Sequence, residues 1–472
     1  MKTIDQKTFT NLNTQALLQK DKKHHVHAWA DLHEFEKEGA KLMMVEGDGC
    51  YIWDSNGKKY LDSPGGLWCN NIGLGRSDMA EAISDQVKKI SFNSNFNDLG
   101  SVVSAELAEK IASLTPGNLN RVHFTTGGST AIDTAFRLVQ LYHFVRGNES
   151  KKHMISRKEA YHGSTYIGSS LGGKAGDRLP AFSYMDDIIH HISCPKYYRA
   201  PEGMSEAQFL DSLVQELEDK ILAIGPDNVA AFFAEPILGA GGVVVPPEGY
   251  HKRTYDICKK YDMLYVADEV VTAFGRLGHW FASEDEFGIV PDIITCAKGI
   301  SSGYLPLGAT IFSDEIYEVI SAPDSEVYMA TGFTYAGHPV CCAAALKNIE
   351  IMEKENLLEH VKEISPYFEQ QLNTLLDLPI VGEVRGRGLM RCVEFVADKK
   401  TKTDFPEEVN IGKWVSDQAD ERGLIIRPIV NLNIMSPPLT ITEDEIDFIV
   451  DTLRESIEAA MEELRKKGLW KG

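Results

Sequence analysis

The chain has 472 residues, too many for one compact core, and its size favours about two or three domains. Its 48 Lys and Arg against 69 Asp and Glu leave a net charge of −21, which gives no general attraction to nucleic acid or to an anionic membrane surface. No apolar run approaches the ~18 residues of a membrane span, and Met1–Lys7 lacks the apolar centre of a signal peptide. A cytoplasmic protein is therefore expected, with its eight scattered cysteines reduced.

Residues 1 to ~40 are polar and without clear periodicity, and read as a loosely structured arm. Within them His24-His25-Val26-His27 has no obvious carboxylate or Cys partner, so it is read as a solvated or interface segment and no metal is expected. Cys50 to Asp62 reads as a β-hairpin around Asn56-Gly57. Gly65-Gly66-Leu67-Trp68-Cys69 reads as a loop whose Trp68 either lines a site or fills a core. Arg121 to Thr126 is a strand, Gly127-Gly128-Ser129-Thr130 a turn, and Ala131, Ala135, Leu138, Val139 and Tyr142 recur at helical spacing. Strand, glycine turn and helix start can hold an anion on backbone N–H groups, or can be no more than a capped helix. Tyr161-His162-Gly163 offers an aromatic that stacks on a flat ring or packs half-buried. Gly168 to Lys174 imitates a Walker A loop, but Ala175 stands where a magnesium-binding hydroxyl belongs, so nucleoside triphosphate binding is rejected.

Val229 to Ala234 is a buried strand ending at Glu235-Pro236. The centre of the chain follows. Leu264-Tyr265-Val266-Ala267 runs into Asp268, and Ile293-Ile294-Thr295-Cys296-Ala297 runs into Lys298. A buried parallel strand that ends at a site reads this way, because ligands sit outside the carboxyl ends of such strands. Gly308–Phe312 is a further strand, and Phe333 to Pro339 a glycine-bearing loop. After about residue 345 helical patterning returns, then strands from Arg385 onward, with Arg427 at the end of an apolar run where its fork suits either a bound carboxylate or an ordinary ion pair. The chain closes in an amphipathic helix opened by a Thr442–Glu445 capping box.

An acid and an amine at two strand ends that face one crevice suit pyridoxal phosphate, which is anchored to a lysine and held protonated at its ring nitrogen by a carboxylate. Taken alone, the pair could equally be a structural ion pair or two unrelated charges. Alternating apolar runs and helices imply an α/β fold with a mostly parallel sheet covered on both faces.

Together these motifs carry a resemblance. Gly66-Leu67-Trp68-Cys69, Thr126-Gly127-Gly128-Ser129, Tyr161-His162-Gly163, Glu235-Pro236-Ile237, Ala267-Asp268-Glu269-Val270, Ala297-Lys298-Gly299 and Gly332-Phe333-Thr334-Tyr335 resemble the class III aminotransferases of fold type I, and more narrowly the ω-amino acid or amine:pyruvate transaminases. The resemblance runs from about Gly47 to the C-terminus, and its one departure is Gly127-Gly128-Ser129-Thr130 where the family usually has Ser-Gly-Ser-Glu. It implies a three-layer α/β/α large domain over residues 76–345. It also implies a smaller α+β domain from both chain ends, with 1–75 as arm and part of that domain and 346–472 as its remainder. Lys298 would be the Schiff-base lysine and Asp268 the ring-nitrogen partner. Tyr161 and Val270 would flank the ring, Gly127, Gly128 and Ser129 would hold the phosphate, His162 would help bind the cofactor, and Glu235 would sit near the edge of its ring. Thr334 would reach the phosphate of a neighbouring subunit, implying a homodimer with shared sites, open to further pairing as a dimer of dimers. Trp68, Tyr161, Arg427 and Phe92 (or Phe96) would line the substrate pocket. The expected reaction is ping-pong transfer from an amine or ω-amino acid to a keto acid, with pyruvate the first choice. The same cofactor residues would also serve an aminomutase or a decarboxylase.

Overall fold

The computed structural model describes residues 7–323, 325 and 327–471. The signal-peptide reading at the extreme N-terminus falls almost wholly outside them. Along the chain the strands are β1 (Met44–Asp48), β2 (Tyr51–Asp54), β3 (Lys59–Asp62), β4 (Arg121–Thr125), β5 (His153–Arg157), β6 (Ile189–Ile192), β7 (Val229–Ala234), β8 (Leu264–Asp268), β9 (Ile293–Cys296), β10 (Gly308–Phe312), β11 (Val381–Arg387), β12 (Met390–Phe395), β13 (Leu424–Ile425), β14 (Arg427–Ile429) and β15 (Leu432–Met435).

A seven-stranded sheet has the order β4-β10-β9-β8-β7-β5-β6. Only β10 runs against its neighbours, pairing antiparallel with both β4 and β9. The pairs β5·β6, β5·β7, β7·β8 and β8·β9 are parallel. Every residue of β7 and β8 is buried, which requires cover on both faces. Phe232 and Tyr265 pack with Leu213, Leu217 and Ile221 of the helix Glu206–Ile224. Phe233 and Val266 pack with Ile132, Ala135 and Val139 of the helix Gly128–Val145. Alternate strand residues thus face different helical layers, and the three-layer architecture follows.

The chain ends meet beside this sheet. Strand β13, near the C-terminus, lies parallel to β3 with Leu424 opposite Leu61, completing the sheet β1-β2-β3-β13. A second four-stranded sheet, β11-β12-β15-β14, is antiparallel throughout. The helix Glu443–Lys466 buries Ile446, Ile449, Leu453 and Ile457, and its capping box forms between Thr442 and Glu445. This is the smaller α+β unit drawn from both termini.

The N-terminal arm differs from expectation. It is mostly helical, over Lys7–Thr10, Thr14–His24 and Leu32–Glu38. Asn13 caps the second helix by accepting from the Ala16 N–H, and Asp31 caps the third by accepting from His33 and Glu34. These two helices bury no residue fully, so they leave little apolar periodicity to read. The hairpin at residues 51–62 forms as expected, although its loop covers residues 55–58.

Candidate active site

Five strands deliver their chemistry to one edge of the large sheet. Beyond the carboxyl end of β4 lie Gly127, Gly128 and Ser129; beyond β5 lie Tyr161 and His162; beyond β7 is Glu235; β8 ends in Asp268; and Lys298 follows β9 by two residues. The register sets Asp268 opposite Thr295 on the adjacent parallel strand, so the acid and the amine leave neighbouring strands side by side. Lys298 itself has φ +45°, a left-handed conformation that costs an L-residue about 1–2 kcal/mol and turns the chain sharply as it leaves the sheet.

Asp268 is buried and held from several directions. Its Oδ2 is 2.7 Å from His162 Nδ1, and its Oδ1 accepts from the Thr295 hydroxyl at 3.2 Å and the Val270 N–H at 3.1 Å. An ionised carboxylate can only accept, so His162 Nδ1 carries the proton. His162 Nε2, 3.1 Å from the Ser156 hydroxyl, is then the acceptor when the ring is neutral. Glu235 is buried too: its carboxylate accepts from the Tyr161 N–H at 3.1 Å and the Gly239 N–H at 2.8 Å. Burial raises its pKa above the ordinary carboxylate range, with Asp268 adding to the shift.

The two cations are treated differently. Lys298 has no hydrogen bond or ion pair through its amine among the described residues, and burial pulls its pKa below the ordinary lysine range against the opposing influence of Cys69 and Asp268. Arg427, half-buried on β14, also lacks a hydrogen-bond or salt-bridge partner among the described residues, and burial lowers its pKa as well. Two cations facing one cleft, neither in a direct ion pair among the described residues, make a site prepared for anionic or electrophilic groups.

The cleft has a volume of about 280 Å³ and brings together Trp68, Gly128, Ser129, Tyr161, His162, Glu235, Asp268, Val270, Lys298 and Arg427. Gly127 caps the helix that begins at Gly128. The cleft also holds residues that the sequence reading missed: Trp29, Leu67, Lys174, Asp177 and Val271. Trp29 meets Tyr161 edge-to-face at 6.0 Å between ring centroids. Lys174, the last residue of the Walker-like stretch, lies 3.5 Å from Asp177 at the cleft. Phe92 and Thr334 do not line this chain's cleft. Phe92 packs instead on Tyr335 and His338, with centroids 5.9 and 5.5 Å away, and Thr334 is exposed in the same loop.

The residues present fit a phosphorylated pyridine aldehyde. No side chain caps the helix Gly128–Val145, which leaves first-turn N–H groups and the positive end of its dipole for an anion. Open space surrounds Gly127, whereas a Cβ at Gly128 would come within 3.0 Å of Val270. An unpaired amine, a buried carboxylate hydrogen-bonded to an imidazole, and an aromatic face complete the donor set that such a group requires.

Comparison with known proteins agrees. The aminotransferase class-III family model matches residues 35–457. A putrescine–pyruvate aminotransferase of Pseudomonas aeruginosa is 40% identical over 454 residues, covering 95% of this chain and 97% of its own. A mitochondrial gamma-aminobutyrate transaminase 1 of Oryza sativa subsp. indica is 40% identical over 436 residues, covering 90% and 83%. Among solved structures, an (S)-enantioselective omega-transaminase from Thermomicrobium roseum superposes with a TM-score of 0.91 at 40% identity, covering 96% of this chain and 99% of that one. An omega transaminase from Pseudomonas jessenii in complex with PMP gives 0.91 at 36% identity, covering 94% and 98%. With this fold, this cleft and these relatives, the chain belongs to the class III aminotransferases, pyridoxal-phosphate enzymes of fold type I that transfer an amino group to a keto acid.

Proposed function

We propose that this enzyme carries the amino group of an aliphatic amine or ω-amino acid to pyruvate by a ping-pong route. The observation that carries the reading is the pair of partnerless cations in one cleft: the Lys298 amine for chemistry and the Arg427 guanidinium for the acceptor's carboxylate. The named relatives include a putrescine–pyruvate and a gamma-aminobutyrate transaminase, which supports a linear, unbranched donor.

In this reading Gly127, Gly128 and Ser129 hold the cofactor phosphate at the helix start, and Tyr161 and Val270 flank the ring. Asp268, oriented by His162, pairs with the ring nitrogen, and Glu235 fixes the Tyr161 backbone. Bound there, pyridoxal phosphate supplies the electron sink that makes a carbon-bound proton of the donor acidic. Lys298 would take that proton from the donor carbon at its amine and hand it on to the cofactor, serving as the one base of the transfer. A depressed pKa keeps more of this amine neutral near pH 7, the form that can act as nucleophile and base. Trp68 and the cleft walls exclude water from that proton. Arg427 fixes the acceptor through two parallel N–H···O bonds to its carboxylate.

Phe92 and Thr334 are assigned to the site of a second copy. Their neighbourhood exposes Ile90, Phe96, Leu99, Tyr328 and Tyr335 at 45–83%, apolar side chains of the kind that a protein–protein contact covers. A homodimer with shared sites is the proposed assembly, in a cytoplasmic setting, with the domain division at about residues 75 and 345; no helix among the described residues is long and apolar enough to cross a membrane.

The test is a half-reaction screen on the cofactor-loaded protein. β-Alanine, taurine, putrescine, 1-phenylethylamine and alanine are added singly, and the visible band of the cofactor is followed. A competent donor bleaches the band and pyruvate restores it. Release of carbon dioxide, or a product that keeps its amino group, would overturn the reading in favour of a decarboxylase or an aminomutase.

A further inference from the structure

The stretch that carries Trp29 over the cleft begins at an unusual knot. Asp21 lies in the last turn of the helix Thr14–His24, His25 is that helix's C-cap, and His27 lies two residues further along. His25 Nδ1 is 3.0 Å from Asp21 Oδ1, and His27 Nε2 lies 3.1 Å from Oδ1 and 2.9 Å from Oδ2. The potential ligand atoms of all three residues lie within 4.8 Å of one another. The carboxylate partner that the His-rich stretch lacked on a reading of residues 24–27 alone is therefore supplied one helical turn earlier.

The chain makes this convergence locally. Residues four apart on a helix share a face, which brings Asp21 and His25 together. The extended backbone at His25, φ −115° and ψ 120°, then puts residue 27 on the same side two positions on. His27 is further held by Phe35, its ring centroid 4.6 Å away, and the two imidazoles sit 4.6 Å apart centre to centre. The Asp21 side chain is 13% exposed and that of His27 34%, with His25 outermost at 68%. Asp21 Oδ2 is buried and lacks a well-directed hydrogen bond.

We propose that Asp21, His25 and His27 form a binding site for a divalent transition ion of the zinc class, outside the catalytic cleft. Two imidazole nitrogens, one carboxylate oxygen and a water give the four ligands that zinc takes. Metal bonds of ~2.0–2.1 Å in a tetrahedron set donors roughly 3.3 Å apart, so the two Asp21–imidazole spacings of 2.9–3.1 Å would open by a few tenths of an ångström, while the two ring nitrogens already lie within 4.8 Å of each other. Binding is proton-balanced when both rings are neutral: each ring offers the metal the nitrogen that now faces Asp21, and its proton moves to the other nitrogen of the same ring. The ion ties the end of the helix to the segment leading to Trp29, which meets Tyr161 at the cleft, so occupancy bears on how firmly that lip is held.

The experiment uses the full chain loaded with cofactor, stripped with chelator, freed of excess cofactor and titrated with ZnCl2 by calorimetry. The expected result is one equivalent bound per chain. His25→Ala and Asp21→Asn should each weaken it at least about tenfold, a loss that even an outer-sphere partner can cause. His25 is exposed, so His25→Ala should keep the metal-free melting temperature and give a folded control. Absence of zinc binding by the wild type at 100-fold excess over protein, or a stoichiometric site that survives both substitutions, would overturn the proposal and leave the trio as a hydrogen-bonded cap.

Discussion

Two ionic clusters in this molecule, one buried and one half-buried, are built on opposite plans. Around Glu394 on β12, every charge has a partner. Its carboxylate, 2% exposed, accepts from Lys196 at 2.6 Å, from Arg199 Nε at 3.0 Å and from Arg385. Arg385 also pairs with Glu383 at 2.5 Å and donates to the Gly242 carbonyl at 2.7 Å. Burial alone would raise the Glu394 pKa, but Arg385 and Lys196 outweigh it and bring it down to about 2. In the cleft, Lys298 and Arg427 are half-buried with no such partner, and both have pKa values pushed below their ordinary ranges. The first cluster is held together by its charges; the second keeps its cations available, at a desolvation cost that only a ligand offsets. The comparison separates structure from function on physical grounds, because a binding site must leave unsatisfied what a fold would satisfy.

Substitutions can break this contrast, and the largest effect belongs to the cleft. Lys298→Ala should cut kcat by about 10⁴-fold, the upper end of what a positioned proton carrier contributes, while the melting temperature of the metal- and cofactor-free chain stays the same or rises. A steady-state assay with thermal melting checks both halves. Glu394→Gln should do the reverse. It leaves Arg385, Lys196 and Arg199 without their shared counter-ion, and denaturant unfolding should show a loss of about 3–5 kcal/mol, with kcat of the folded fraction essentially unchanged. The same cluster fixes a pH window. A carboxyl lowered from 4.5 to about 2 on folding stabilises fully above the unfolded value, and that stability disappears as pH falls from 4.5 toward 2. Glu394→Gln should flatten this acid limb of the stability curve.

Smaller effects sharpen the picture within the cleft. Arg427→Ala should raise KM for a keto acid about 10- to 100-fold, equivalent to the ~1.5–3 kcal/mol of a charged hydrogen bond, and should hardly touch the donor half-reaction of an amine without a carboxylate. Equal losses for both substrates would contradict its assignment to the acceptor. Trp29→Ala should weaken substrate binding by only about two- to tenfold, the range of one edge-to-face aromatic contact, measured as the change in KM.

How much of the fold and the cleft is legible in the sequence depends on how local each signal is. Asp268, Lys298 and Glu235 announce themselves because burying a charge at the end of an apolar strand is costly unless a partner or ligand meets it there, and the parallel sheet brings those ends together. The mostly parallel core is legible from the same runs: β7 and β8 are apolar on both faces. Trp29, Lys174 and Asp177 leave no such trace. Their place at the cleft comes from contacts across the fold, Trp29 meeting Tyr161 from far along the chain, and Lys174 lies in a glycine-rich run that imitates a different motif. The arm's helices are hidden because caps at Asn13 and Asp31 hold segments with hardly any buried face. Phe92 and Thr334 come from family resemblance alone, and in a single chain they lie on another surface.

The central claim is that Lys298, and no other amine, holds the cofactor. Borohydride reduction of the cofactor-loaded protein, followed by proteolysis and peptide mass mapping, tests it directly. The cleft contains a second amine, Lys174, so the experiment has an internal competitor. The predicted result is the pyridoxyl mass on the peptide bearing Lys298. The same mass on the Lys174 peptide, or on neither, would contradict it.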